Sequence, residues 1–113
     1  MEAKLTKDFI KGAVAAETES AKEKWRDTYH SEHEAWAVLR EEIEEANEAL
    51  VKIGSISQVL WNFVRKAEKQ TGDIGYIRDN LHYIQDHAQE LAIEAVQIAA
   101  VTQKYLDTME EQK

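Results

Sequence analysis

Glu41, Glu42, Glu44, Glu45 and Glu48 crowd one short stretch of the chain, and Glu94 with Gln97 follows about fifty residues later. Oxygen ligands at close helical spacing suit a hard divalent cation, because Mg²⁺ is held by one or two carboxylates completed by waters and substrate phosphates. On a helix, Val38, Glu42, Glu45 and Ala49 fall on one line, and His87, Glu90, Glu94, Gln97 and Val101 fall on another. If those two helices pack together, carboxylates from both converge. Carboxylates brought together without a cation repel and tend to take up a proton, so this reading expects Mg²⁺ or Mn²⁺ to stabilise the protein. The alternative is that the glutamates only solvate an amphipathic helix, and it expects no cation effect.

The elements that must carry these residues are helical. The 113 residues include no proline and only four glycines, so few positions would be costly inside a helix, and no segment reads as a strand. Residues 4–29 form a first expected helix, with Leu5, Phe9, Ala13, Ala16 and later Trp25 or Tyr29 on one side. Ser31 followed by Glu34 makes a capping box for a second helix, whose buried stripe is expected to be Trp36, Leu39, Ile43, Ala46 and Leu50. Gly54 and Ser55 are expected to stop it, and a third helix follows over 57–69 with Leu60, Phe63, Val64 and Ala67 inward. Thr71-Gly-Asp-Ile-Gly75 reads as a turn. The last helix is the longest. Ile74, Ile77, Leu81, Ile84, Ala88, Leu91, Ala95, Ile98, Thr102, Tyr105 and Met109 keep a heptad stripe for five repeats. Its shorter neighbours cannot cover that length, so the helix either bends near Gln85–Gln89 or packs against another subunit. The expected architecture is an all-α bundle of about four helices in a single domain, 1–113, assembled as a homo-oligomer, dimer or tetramer.

Charge and composition narrow the function classes. The net charge is −8, and residues 32–50 hold seven acidic groups against Arg40 alone. Such a surface repels a phosphate backbone, so no nucleic-acid partner is expected, whereas a small nucleotide carried in with a cation is compatible. Without cysteine there is neither a disulfide framework nor a thiol nucleophile. The N-terminal residues lead into no long apolar run, so the chain is read as cytoplasmic, with no membrane partner.

The stretches His33–Ala46 and Leu91–Lys104 together resemble the MazG-like all-alpha nucleoside triphosphate pyrophosphohydrolases, especially their short single-domain bacterial and phage forms. They make up roughly a quarter of the chain, and the helix order is similar across 31–110, with 1–30 as an additional N-terminal helix. The family's paired signature is Glu-x-x-Glu on one helix and Glu-x-x-Asp on a later one. Glu42-x-x-Glu45 supplies the first; Glu94-x-x-Gln97 supplies half of the second, with glutamine in place of aspartate. The resemblance implies hydrolysis of a ribo- or deoxynucleoside triphosphate between the α and β phosphates, with Mg²⁺ as the metal and Mn²⁺ as an alternative. It makes Glu42, Glu45 and Glu94 metal ligands, Gln97 a weak or water-mediated one, and Glu41 the residue that orients the attacking water, Glu41 and Glu45 being exchangeable in that role. Glutamine can still coordinate through its carbonyl but brings no charge and cannot act as a base.

A polyphosphate also needs cations, for which Lys104, Lys66 and Arg65 are candidates, each equally readable as a solvated helix residue. Trp61 and Asn62 could stack on and hydrogen-bond to a base, or Trp61 could simply fill the core. Trp25 and Trp36 read as packing residues. His82 and His87 stand five apart and share no face, and no His-Glu-x-x-His is present, so zinc hydrolysis is not expected. Two other functions compete with the hydrolase: a catalytically weak nucleotide-binding relative, and a structural helical module whose long helix mediates assembly.

Overall fold

In a computed structural model, residues 3–24, 28–67 and 74–111 are described. They form three helices, α1 (Ala3–Lys24), α2 (Glu32–Ala67) and α3 (Ile74–Glu111), and no strand occurs among the described residues. None of the helices is long and apolar enough to cross a membrane.

The start of α2 follows its sequence closely. Ser31 Oγ accepts a hydrogen bond from the Glu34 N–H at 3.1 Å, and Glu34 Oε1 accepts one from the His30 N–H at 2.9 Å. The glutamate thus reaches one residue further back than in the simplest capping box, satisfying the amide before the cap. Arg65 and Lys66 in the last turn face the negative end of the helix dipole.

Two expectations are corrected here. Gly54 and Ser55 do not end a helix: α2 runs unbroken through them for 36 residues, so the second and third expected helices are one, and three helices are described rather than four. Glycine stops a helix chiefly by adopting positive φ beyond its end, and none of the described glycines does so. Gly54 therefore imposes only its propensity cost of about 1 kcal/mol. The first helix also ends earlier, at Lys24, and residues 28–30 are not helical. Trp25 and most of the turn at 71–75 lie outside the described residues, while Ile74 and Gly75 open α3.

The register of burial on α2 is the third correction. Of the expected stripe, Leu39 and Ala46 are half-buried, while Trp36, Ile43 and Leu50 are exposed and Ala35 and Ala49 are buried instead. Small residues let helix backbones approach, and the large apolar side chains are left on the flank.

The chain packs as two compact units. The first comprises Met1–Glu44 and Ile93–Lys113, bringing together α1, the start of α2 and the end of α3. Here Lys22 Nζ on α1 pairs with Asp107 Oδ2 on α3 at 2.7 Å, and Gln103 Nε2 donates to Asp107 Oδ1 at 2.9 Å. The buried Tyr29 donates its backbone N–H to Thr108 Oγ1 at 3.1 Å and meets the ring of Tyr105 edge-on. The Tyr105 hydroxyl donates to the Glu32 carboxylate, which raises the phenol's pKa above its ordinary value.

The second unit, Glu45–Ala92, is a hairpin of the later half of α2 and the first half of α3. Phe63 stacks on Tyr76 at 5.0 Å beside the connection, fixing the two helices antiparallel. Ile53, Ile56 and Leu60 on α2 and Ile77, Ile84 and Leu91 on α3 are all half-buried.

Candidate functional site

Glu42 and Glu94 belong to the first unit, on α2 and α3, and Glu45 follows Glu42 by one turn on the same helix. One carboxylate oxygen from each of the three lies within 4.8 Å of the others. Glu42 and Glu94 are half-buried, with Oε2 of each shut away from solvent, while Glu45 is exposed. The turned inward face of α2 explains the placement: Ala35, Leu39, Glu42, Ala46 and Ala49 are all buried or half-buried, so Glu42 stands on that face itself.

On α3, Glu94, Gln97, Val101, Lys104 and Thr108 recur at steps of three and four, and all five are buried or half-buried. Most of this inward line is polar. Lys104 is only 6% exposed, with its ammonium 4.4 Å from the centroid of the Tyr29 ring, and the Thr108 hydroxyl bonds back to the Lys104 carbonyl at 2.8 Å. A lysine so deeply buried depends on its surroundings to replace water around the charge.

A cavity of about 300 Å³ opens among these groups in the first unit, at the lower end of the range for small-molecule sites. Glu42, Gln97, Lys104, Tyr29 and Glu17 supply its polar lining, and Ala21, Val38, Ala100 and Val101 its apolar walls. Burial raises the Tyr29 phenol above its ordinary 10.0, reinforced by the negative charges of Glu34 and Glu42, so its hydroxyl stays protonated across the physiological range. The cavity thus combines carboxylates, one ammonium, one amide and one phenol.

Of the residues singled out in the sequence, Glu42, Glu45 and Glu94 are brought together, and Gln97 and Lys104 line the cavity that Glu42 also lines. Glu41 is exposed and outside the carboxylate trio. Trp61, Asn62 and Lys66 sit near the end of α2 in the second unit. There Arg65 lies over the exposed Trp61 ring at 5.7 Å and donates to Asn62 Oδ1 at 2.9 Å, and Lys66 lies over Phe63 at 5.9 Å. None of Trp61, Asn62, Arg65 and Lys66 is among the residues lining the cavity.

The sequence gives no sign of Glu17 at the site, and marks Tyr29 only as an apolar position of the first helix. They come from α1 and from the connection to α2, segments with no motif of their own. The available signal was the Glu17/Ala21 spacing of four on α1, which places an acid beside a small residue on one face.

No protein-family model matches the chain, and neither does any curated protein or solved structure.

Proposed function

We propose that the protein is a Mg²⁺-dependent nucleoside triphosphate pyrophosphohydrolase of the MazG-like kind its sequence resembles, releasing pyrophosphate and a nucleoside monophosphate. The observation that carries this reading is the convergence of Glu42, Glu45 and Glu94 from two helices to within 4.8 Å. The donor set fits the metal: three hard carboxylate oxygens, two of the side chains half-buried, with no cysteine in the chain. Glu42, Glu45 and Glu94 would hold the ion, which when bound supplies Lewis-acid polarisation of a phosphoryl oxygen and charge neutralisation on the departing pyrophosphate.

The chain's own side chains do the remaining work. Lys104 holds a fixed positive charge at the cavity, where it attracts a phosphate oxygen. The protonated Tyr29 hydroxyl donates a hydrogen bond there, and Gln97 orients substrate or a bound water through its amide. Glu41, exposed one turn before Glu45, is the residue that the resemblance assigns to orient the attacking water, with Glu45 exchangeable in that role.

A second reading, nucleotide binding with weak or no turnover, is favoured by Gln97, whose amide brings no charge to the cavity lining where the resemblance expects an aspartate. One experiment separates the two: pyrophosphate release from ribo-, deoxy- and modified nucleoside triphosphates with Mg²⁺ or Mn²⁺, the Glu42→Gln protein run in parallel. Turnover lost in the variant supports the hydrolase. Metal-dependent nucleotide binding without release in the wild type supports the binding protein, and neither binding nor release refutes both.

A further inference from the structure

Glu17 on α1 lines the cavity of the first unit together with Glu42, Gln97, Tyr29 and Lys104, and it is half-buried there. It makes no hydrogen bond or ion pair with any described residue. Polar groups withdrawn from solvent are ordinarily matched by a partner, and a cavity of about 300 Å³ gives a ligand room to be that partner.

The turn of α1 that carries Glu17 is fixed in place. Thr18, the next residue, is buried, and its hydroxyl donates to the Val14 carbonyl at 2.7 Å. Lys22, five residues after Glu17, is tied to Asp107 of α3 at 2.7 Å. Ile10, Val14 and Thr18 share a groove with Ala99, Gln103 and Asp107, so α1 and α3 run side by side in the same direction. Counting back five residues from the Lys22–Asp107 pair sets Glu17 roughly level with Thr102, between Gln97 and Lys104. A ligand held by Gln97 or Lys104 is therefore within reach of Glu17.

The cavity's hydrogen-bonding groups differ by element. Lys104 and the Tyr29 phenol, from α3 and the connection before α2, offer donors, and Gln97 offers both a donor and an acceptor. Glu17 brings a carboxylate, which only accepts. A phosphate oxygen beside it would meet like charge, so the polyphosphate is not the part of a nucleotide that faces this residue. What fits is an O–H or N–H, and on a nucleoside triphosphate those belong to the sugar hydroxyls and to the amino groups of the base. Resting on the nucleotide reading above, we infer that Glu17 is a specificity-determining residue, accepting a hydrogen bond from an O–H or N–H of the nucleoside and selecting nucleotides that carry that donor. A nucleotide with a bare carbon or a carbonyl oxygen at that place leaves the carboxylate unmatched, and a site built around a hydrogen bond rejects such an analogue more strongly than an apolar pocket does. α1 precedes the stretch 31–110 over which the helix order resembles the pyrophosphohydrolases, so this selection belongs to the additional N-terminal helix.

Paired nucleotides with Mg²⁺ test it through kcat/KM and through Kd. A sugar arm compares ATP with dATP, and a base arm compares CTP with UTP and ATP with ITP, where a carbonyl replaces the amine. The wild type is expected to favour the donor-bearing member about tenfold or more in one arm, and that arm names the group. Glu17→Leu should erase the preference by weakening the donor-bearing member alone, and Glu17→Gln, which keeps the shape and one acceptor without the charge, should narrow it. Glu19→Gln, exposed on the same helix and outside the cavity lining, should leave it unchanged. Both Glu17 variants should keep the Mg²⁺-induced rise in Tm, since Glu17 is not one of the three clustered carboxylates, and this separates lost selection from lost fold or metal. Equal treatment of both members of every pair by the wild type overturns the inference. So does a loss shared equally by both members in the Glu17 variants. Binding without turnover refutes the hydrolase while the Kd ratios still decide the role of Glu17, and a protein that binds no nucleotide overturns both.

Discussion

Replacing Glu42 by glutamine keeps the side chain's shape and removes one charge from a trio of carboxylates whose oxygens lie within 4.8 Å of one another. Less repulsion remains among Glu42, Glu45 and Glu94 without metal, so the Glu42→Gln protein should melt at or above the wild-type temperature in EDTA. With Mg²⁺ or Mn²⁺ added, the wild type should gain stability and the variant should gain much less, because a ligand that binds the folded state stabilises it in proportion to its affinity. Paired thermal melts across a metal titration read both effects, and equal metal responses would remove Glu42 from the site. Gln97→Asp runs the other way: a fourth carboxylate near the site should raise metal affinity or turnover, and a fall in both would place the second half of the signature elsewhere on α3. Asp107 offers a residue-scale test of pH dependence. Hydrogen bonding to Lys22, and then to Gln103, lowers its pKa below the ordinary 3.8. A carboxyl depressed in the folded state contributes stability that is fully present above its unfolded pKa and is lost as pH falls through its folded one. Asp107→Asn should therefore cost up to about 1 kcal/mol at neutral pH, the pair being partly exposed. The difference from wild type should close as the pH drops below 3.8, as urea melts at a series of pH values would show.

At the scale of the helix, local chemistry is legible wherever it is satisfied locally. The pairing of Ser31 with Glu34 could be read from four residues, and the structure contains it. Ser31→Ala should cost about 1 kcal/mol in chemical denaturation, since it leaves an amide at the start of α2 without its side-chain acceptor. Gly12 lies within α1, where an added Cβ meets nothing within 4 Å, so Gly12→Ala should stabilise by about 0.5–1 kcal/mol. The end of a helix is harder to read than its beginning. Gly54 carries the residue type of a stop signal, but a stop also requires the chain to leave helical φ and ψ, and the continuing pattern of Ile53, Ile56 and Leu60 holds it helical. The burial register of α2 is only partly legible for a related reason. Ranking Trp36, Ile43 and Leu50 as core follows side-chain hydrophobicity, whereas Ala35, Ala49 and Ala100 are buried because close helix approach selects size first. The convergence of Glu42, Glu45 and Glu94 was legible because spacing of three on one helix needs only one further assumption, that α2 packs on α3. Glu17 and Tyr29 were not, because their approach to the cavity depends on where α1 docks, and nothing local to them encodes it. Nor was the burial of Lys104, a side-chain type that ordinarily keeps its charge in water.

Across the whole chain, an all-helical fold follows from composition, since a sequence without proline and rich in Ala, Glu, Gln, Lys and Leu has few places where a helix is costly. How many chains share a core is a separate matter, and it is set by the balance between apolar residues supplied and apolar residues enclosed. Here the balance is poor within one protomer: large side chains such as Phe9, Trp36, Leu50, Trp61, Ile74 and Leu81 are exposed, and the buried side chains among the described residues are small or polar apart from Tyr29. If the homo-oligomer expected from the sequence forms, part of the stability comes from association and depends on concentration. The melting temperature of the wild type should rise steadily over a hundredfold increase in protein concentration. If the exposed Leu81 lies in that contact, the melting temperature of Leu81→Glu should be lower and flat over the same range. Calorimetry distinguishes this from a merely weak monomer, which would give a low melting temperature in both proteins and a slope in neither.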